Sequence, residues 1–241
     1  MSRNIDLSIG EYYHIYNRGT DKRIIFKNDK DYYRFLILLY LCNSTLNVHL
    51  GDLIEAQDIQ NLALYKDSIL DMDRGETIVS IGVYCLMPNH FHLVLKEKQE
   101  GGISLFMQKL SIGYTMYFNK KYDRSGALFQ GKFKAKHANT DNYLKYLFAY
   151  IHLNPIKLID KNWIENGIQD LNKVKDYLDN YSFSSYPNYI GEKRKENNIL
   201  DIKAFPDYFQ SEREFKDFIC DWLNYKDEFT RDPISGEKLC K

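Results

Sequence analysis

Hydrophobic positions recur along the chain with two different periods, and they set out the elements in order. Residues 11–18, EYYHIYNR, alternate as a strand does and end at Gly19. A helix follows: Asp29 can cap it, and Tyr32, Phe35, Leu36, Leu39 and Tyr40 fall at helical spacing. Residues 77–87, TIVSIGVYCLM, are β-branched and aromatic and read as a buried strand. Pro88-Asn89 turns the chain into a partner strand at 90–96, HFHLVLK. Beyond Gly101-Gly102, residues 103–121 form an amphipathic helix with Leu105, Phe106, Leu110, Tyr114, Tyr117 and Phe118 toward the core. A loop at Gly126 leads to a strand-like stretch, 127–138. A last helix runs from an N-cap at Thr140 to Asn154, where Pro155 stops or kinks it.

The order β-α-β-β-α-β-α is that of an α+β, ferredoxin-like antiparallel sheet with one extra helix. Such a sheet carries helices on one face and leaves the other open for a site or partner. Residues 43–76 interrupt this order with a polar, acidic insertion expected on a surface loop, weakly helical near 52–70. Residues 1–160 therefore read as one catalytic-sized domain. Residues 161–241 read as a C-terminal extension, with a helix near 211–224 and a polar linker at 191–199.

Charge changes the picture. Lys+Arg and Asp+Glu both number 33, so the net charge is zero and argues against indiscriminate nucleic-acid binding. The sum hides segregation. Residues 51–78 hold seven acids, whereas residues 109–137 hold seven bases against Asp123 alone: Lys109, Lys120, Lys121, Arg124, Lys132, Lys134 and Lys136. That basic segment can meet phosphates, with Lys132, Lys134 and Lys136 alternating onto one strand face. Phe129, Phe133, Tyr117 and Tyr122 lie among these bases, where unpaired bases could stack on them. The four cysteines, Cys42, Cys85, Cys220 and Cys240, fit no zinc spacing. Free thiols, a polar N-terminus and the absence of a membrane-length apolar run give the expectation of a cytoplasmic protein with no membrane partner.

His90 and His92, two apart on a strand, share a face and can hold one metal ion; equally, they can be two imidazoles on a solvated face. On the helix 140–154, Tyr150 and Asn154 lie at i and i+4 on one side, with Tyr146 and Tyr143 on nearly the same side as rival tyrosines. Asn154 can add an amide oxygen to two imidazoles. Such an open, borderline-to-hard site suits Mg²⁺ or Mn²⁺. A tyrosine beside it can attack a phosphodiester to give a phosphotyrosine, provided its phenol, of pKa about 10, is deprotonated. His14 on the first strand can face the site or be structural; His152, two residues from Tyr150, points away; His49 in the insertion and His137 carry no clear signal.

The segments YHIYNRG (13–19), LMPNHFHLVL (86–95), YFNKKYDRSGALFQGKFK (117–134) and YIHLNPIK (150–157), in this order, resemble the single-tyrosine HUH transposases, in particular the REP-associated tyrosine transposase branch. The likeness spans roughly residues 11–160 without the insertion, and touches YSFSSYPNYIG (181–191). It implies His90 and His92 as the metal-binding His-hydrophobic-His pair, Tyr150 as nucleophile and Asn154 as the polar residue completing the metal site. It also implies a ferredoxin-like fold, usually a homodimer, acting on single-stranded DNA beside hairpins. The expected activity is metal-dependent cleavage and rejoining of DNA. A non-cleaving hairpin DNA- or RNA-binding protein on the same fold is the first alternative. Keeping all four of His90, His92, Tyr150 and Asn154 argues against it. A replication-initiator nuclease is the second, disfavoured by the short chain and the lack of a helicase.

Overall fold

A computed structural model describes residues 6–46 and 62–224. Its four strands are β1 (Tyr12–Arg18), β2 (Val79–Met87), β3 (His90–Glu97) and β4 (Lys134–His137). They form one antiparallel sheet in the order β2-β3-β1-β4. With the helices α1 (Asp29–Leu41) and α3 (Gly102–Lys121) in the crossovers, this is the ferredoxin-like α+β arrangement.

Alternation sorts the strand residues into two cores. Tyr13, Ile15, Ile81, Phe91, Leu93 and Leu95 point to one face, where Phe35, Leu36 and Leu39 of α1 and Phe106, Leu110 and Tyr114 of α3 cover them. Buried Glu97, at the end of β3, accepts the Ile103 backbone N–H at 2.8 Å and so satisfies an orphan donor at the start of α3. Leu105 was expected in this core but is 44% exposed, because it lies on the outer side of α3.

The second face is not open over β2 and β3. Val83, Cys85, Met87 and Val94 meet α4 (Asp141–Leu153) and a layer built by the C-terminal residues. That layer contains α5 (Trp163–Asn166), α6 (Leu171–Asp179), α7 (Tyr186–Tyr189) and α8 (Glu212–Asn224). Its chain also satisfies the free edge of β2: the backbone N–H groups of Leu86, Ser185 and Asp201 donate to Phe183, Tyr84 and Ile81. All nine residues of β2 are therefore buried, as its continuous apolar run requires. A bulge between Ile81 and Val83 places Gly82 against the ring of Phe205, where a Cβ would come to 2.7 Å.

Three further expectations are corrected. The stretch 127–133 is not continuous strand; the ladder with β1 is confined to Lys134–His137, with an isolated bridge from Phe129 to Gly19 before it, because Gly126 and Gly131 sit at φ values of 82° and 70° and bend the chain. The N-cap of α1 is Asn28 rather than Asp29, and Asp31 accepts the backbone N–H of Lys27 at 2.8 Å. The acidic insertion is only partly a surface loop: α2 (Leu62–Asp71) buries Ile69 and Leu70 in the first core, and Asn43 accepts the N–H groups of Ile78 and Val79. Most of its acidic first half lies outside the described residues.

Candidate active site

The alternation that sends Phe91 and Leu93 into the first core turns His90 and His92 to the other face. Register then decides their neighbours. Tyr16 of β1 and Cys85 of β2 lie opposite His92, and Arg18 and Met87 lie opposite His90. His90 Nδ1 is 2.6 Å from Asn89 Oδ1 in the turn. His92 Nδ1 is 2.8 Å from Nε2 of His14, which is fully buried on β1. Each member of the pair thus spends Nδ1 on a neighbour and keeps Nε2 for another partner.

These imidazoles are neutral near pH 7. Burial lowers the pKa of His90 to about 4, helped by Lys157 and Arg18. Burial, with Lys136, takes His14 to about 3. His92 is held well below the usual histidine range by burial, then by His90, His14 and Lys157. Neutral imidazoles carry the lone pairs that a metal ion requires.

Helix α4 lies across this face. Thr140 caps it by accepting the Tyr143 N–H at 3.2 Å, and Leu144, Leu147, Phe148 and Ile151 bury its inner side. Tyr150, buried, meets His92 edge-on with ring centroids 5.6 Å apart and His14 at 5.9 Å. Tyr146 stacks on Tyr150 at 5.8 Å and Tyr143 on Tyr146 at 6.2 Å, so the three tyrosines run as a ladder away from the imidazoles. Of the three, only Tyr150 has a described ring contact with the imidazoles.

Asn154 is buried one turn beyond Tyr150, where Pro155 opens a 3-10 turn, Asn154–Leu158. Its Nδ2 donates to the Tyr150 carbonyl oxygen at 2.8 Å, a bond that leaves Oδ1 available. No hydrogen bond joins Asn154 to His90 or His92 among the described residues. Nor do the described residues hold a cluster of three His, Cys, Asp or Glu side chains able to bind a metal. A complete metal site on this face has to recruit an amide, a phosphate or water oxygens.

The basic residues divide. Lys134 and Lys136 extend over Tyr16 and Tyr143 on the site face. Lys132 does not share that face, because 127–133 is a bent loop; it lines a largely apolar cleft of about 740 Å³ against Met107, Ile112 and Met116 of α3. Lys121 is paired at 2.6 Å with the buried carboxylate of Asp31, which Tyr117 and Tyr122 also bind, so these three have a structural task. Phe129 and Phe133 are buried as well. Arg124 donates to Asn119 Oδ1 at 3.1 Å, and Lys120 is exposed at the end of α3. His137 turns the other way, stacking on Tyr13 and reaching Glu11 at 2.7 Å. His152 points away from the site, to Ser185 Oγ at 2.7 Å.

Two residues carry more weight here than spacing along the chain assigned to them. His14 reaches His92 only through the β1–β3 register; alternation within β1 gave its face but not its neighbour. Lys157 lies seven residues after Tyr150, near two helical turns, and its ammonium sits 6.0 Å from the Tyr150 ring and acts on both His90 and His92.

Residues 63–154 match the family described as transposase, IS200-like. A solved structure of a REP-associated tyrosine transposase bound to a REP hairpin is similar at a TM-score of 0.47 and 12% identity, over 87% of this chain and 99% of that one. A search of curated proteins found no match. Among the described residues, no helix is long and apolar enough to cross a membrane.

Proposed function

From the IS200-like transposase match over residues 63–154, we propose that the protein cleaves and rejoins single-stranded DNA beside hairpins through Tyr150. The observation that carries the reading is the edge-on contact of Tyr150 with His92, 5.6 Å between centroids, on a sheet face where both histidines keep Nε2 for another partner. Residues 1–160 carry the proposed site residues, and within the extension 161–241 the described residues 163–224 pack beside them on the same face of the sheet.

His90, His92 and the Asn154 amide oxygen are the residues that would hold Mg²⁺ or Mn²⁺. Their chemistry fits: two neutral imidazoles and one amide oxygen form an open set for a borderline-to-hard ion. When bound there, such an ion would supply Lewis acidity toward the scissile phosphate. Tyr150 Oη then attacks phosphorus, the P–O3′ bond breaks, and a 5′-phosphotyrosine and a free 3′-hydroxyl result. The phenol proton leaves Tyr150 and the departing 3′-oxygen gains one. Attack by another 3′-hydroxyl on the phosphotyrosine reverses the step and rejoins strands without ATP.

Lys134 and Lys136 bind phosphates flanking the cleaved bond, with Lys120, Lys132 and Arg124 contacting DNA farther out. Lys121 contributes through Asp31 instead. The partner is single-stranded or hairpin DNA, and the working form is a homodimer.

The test is covalent capture. Incubated with Mg²⁺ or Mn²⁺ and single-stranded oligonucleotides carrying hairpins from the DNA flanking its gene, the protein should form an adduct that survives denaturant. Tyr150→Phe should abolish the adduct and leave binding intact. An adduct that persists in the variant removes Tyr150 as nucleophile. Tight hairpin binding with no adduct from the unaltered protein supports a non-cleaving binder instead.

A further inference from the structure

His14 joins the two halves of the site. Its Nε2 meets His92 Nδ1 at 2.8 Å, its ring stacks on His92 with centroids 5.0 Å apart, and its other side meets the ring of Tyr150 at 5.9 Å. The residue is fully buried in the middle of the sheet, opposite Val94 on one side and Lys136 on the other. Such a position is costly for an imidazole unless it is used.

A hydrogen bond between two neutral imidazoles contains one proton, and where it sits decides what His92 shows to the site. With the proton on His14 Nε2, His92 accepts at Nδ1 and carries its own proton on Nε2, which blocks that nitrogen as a ligand. With the proton on His92 Nδ1, Nε2 is a bare lone pair and His14 must carry its proton on Nδ1. That second nitrogen of His14 has no hydrogen-bond partner among the described residues. A buried N–H without an acceptor is the less tolerated of the two orphans. The metal-free pair therefore favours the first arrangement, and loading has to draw it into the second. His90 has no such choice to make, since Asn89 Oδ1 can only accept and fixes its proton on Nδ1.

We propose that His14 is a positioning residue that sets the tautomer of His92: on metal loading the proton on His92 Nε2 leaves, the shared proton passes from His14 Nε2 to His92 Nδ1, and His14 takes one proton up at Nδ1, so that no net proton is gained or lost. This inference rests on the reading of His90 and His92 as metal ligands. His14 touches neither metal nor phosphate, and acts by supplying the acceptor that holds the His92 ring with Nε2 outward.

Titration of the full chain with Mg²⁺, followed by the imidazole ¹⁵N signals, tests it directly. The expected result is a change of the protonated nitrogen at both His14 and His92, with His90 keeping its Nδ1–H form. His14→Phe, which keeps the ring and removes the acceptor, should weaken Mn²⁺ binding by calorimetry about 10- to 100-fold. His14→Gln, whose side-chain oxygen can accept from His92 Nδ1–H, should recover part of that loss. Unchanged tautomers on loading, or a folded His14→Phe protein with native Mn²⁺ affinity, overturns the role of His14 alone. If His14→Phe fails to fold, the ¹⁵N result and His14→Gln still decide. No Mg²⁺ or Mn²⁺ binding by the unaltered protein overturns the metal reading beneath it as well.

Discussion

His152 offers a measurable link between pH and the attachment of the C-terminal layer. It is fully buried on α4, donates to or accepts from Ser185 Oγ at 2.7 Å, and is ringed by Tyr186, Tyr189 and Phe215. Ser185 in turn accepts the backbone N–H of Tyr84 at 3.0 Å, so the imidazole stands behind the contact that closes the edge of β2. Burial lowers its pKa from 6.5 to about 3. The native state therefore keeps His152 neutral at pH values where the unfolded chain takes up a proton. Stability is complete above the unfolded value and is lost as pH falls below it, levelling off only near the folded value. Going from about pH 7.5 to about pH 5 costs about 2 kcal/mol through this group, because the unfolded imidazole gains about 1.5 pH units of protonation free energy at 1.36 kcal/mol each. His14, His90 and His92 add to the same trend. His152→Gln isolates one contribution, since it keeps a hydrogen-bonding group toward Ser185 and removes the titration. Urea unfolding of both proteins at the two pH values is the assay. The fall in stability should be smaller in the variant by about 2 kcal/mol. Equal falls in the two proteins would refute the claim that His152 is held neutral by burial.

Phe215→Ala should cost about 3–5 kcal/mol in urea unfolding, because the ring is fully buried among His152 of α4, Tyr186 and Tyr189 of α7, and Phe209; a cost near zero would mean that the C-terminal layer contributes no core. Gly82→Ala drives a methyl group into the Phe205 ring at 2.7 Å and should destabilise by about 1–3 kcal/mol, read as a lowered Tm, and Phe205→Leu should restore part of it. Lys134→Gln and Lys136→Gln should each reduce the slope of log affinity against log salt for single-stranded DNA by about 0.7, measured by fluorescence anisotropy. Lys121→Gln should leave that slope unchanged and lower Tm, since its partner Asp31 is buried.

What the sequence made legible was set by periodicity. Strands β1, β2 and β3, the two crossover helices and α4 all carry an apolar pattern longer than a turn, and each lies within a few residues of its expected span. The stretch 127–133 misled because Leu128, Phe129 and Phe133 are buried although no ladder runs through them; they fill the first core from a loop bent at Gly126 and Gly131. That error carried Lys132 onto the wrong face. Helices of four residues, such as Trp163–Asn166 and Tyr186–Tyr189, are too short to display a period, so residues 161–241 read as an extension with one helix and not as a layer packed on the sheet. Its anchors are hydrogen bonds from Tyr181 and Tyr189 to β2 carbonyl oxygens and from the Tyr84 N–H to Ser185 Oγ, each between residues 95 to 107 apart in sequence.

The candidate site divides along the same line. That His90 and His92 share a face, and that Tyr150 and Asn154 share another, follows from strand and helix geometry alone. Which faces meet does not. The β1–β3 register sets His14 against His92, and a 3-10 turn begun at Pro155 returns Lys157 toward Tyr150. Both residues are therefore invisible to spacing within any one element, yet both act on the pair that spacing does reveal. Lys157 and Lys136 also put positive charge around three imidazoles that burial keeps neutral. A face so arranged attracts an anion while keeping its nitrogen lone pairs unprotonated, which is the combination that a phosphodiester and a divalent ion need when they arrive together.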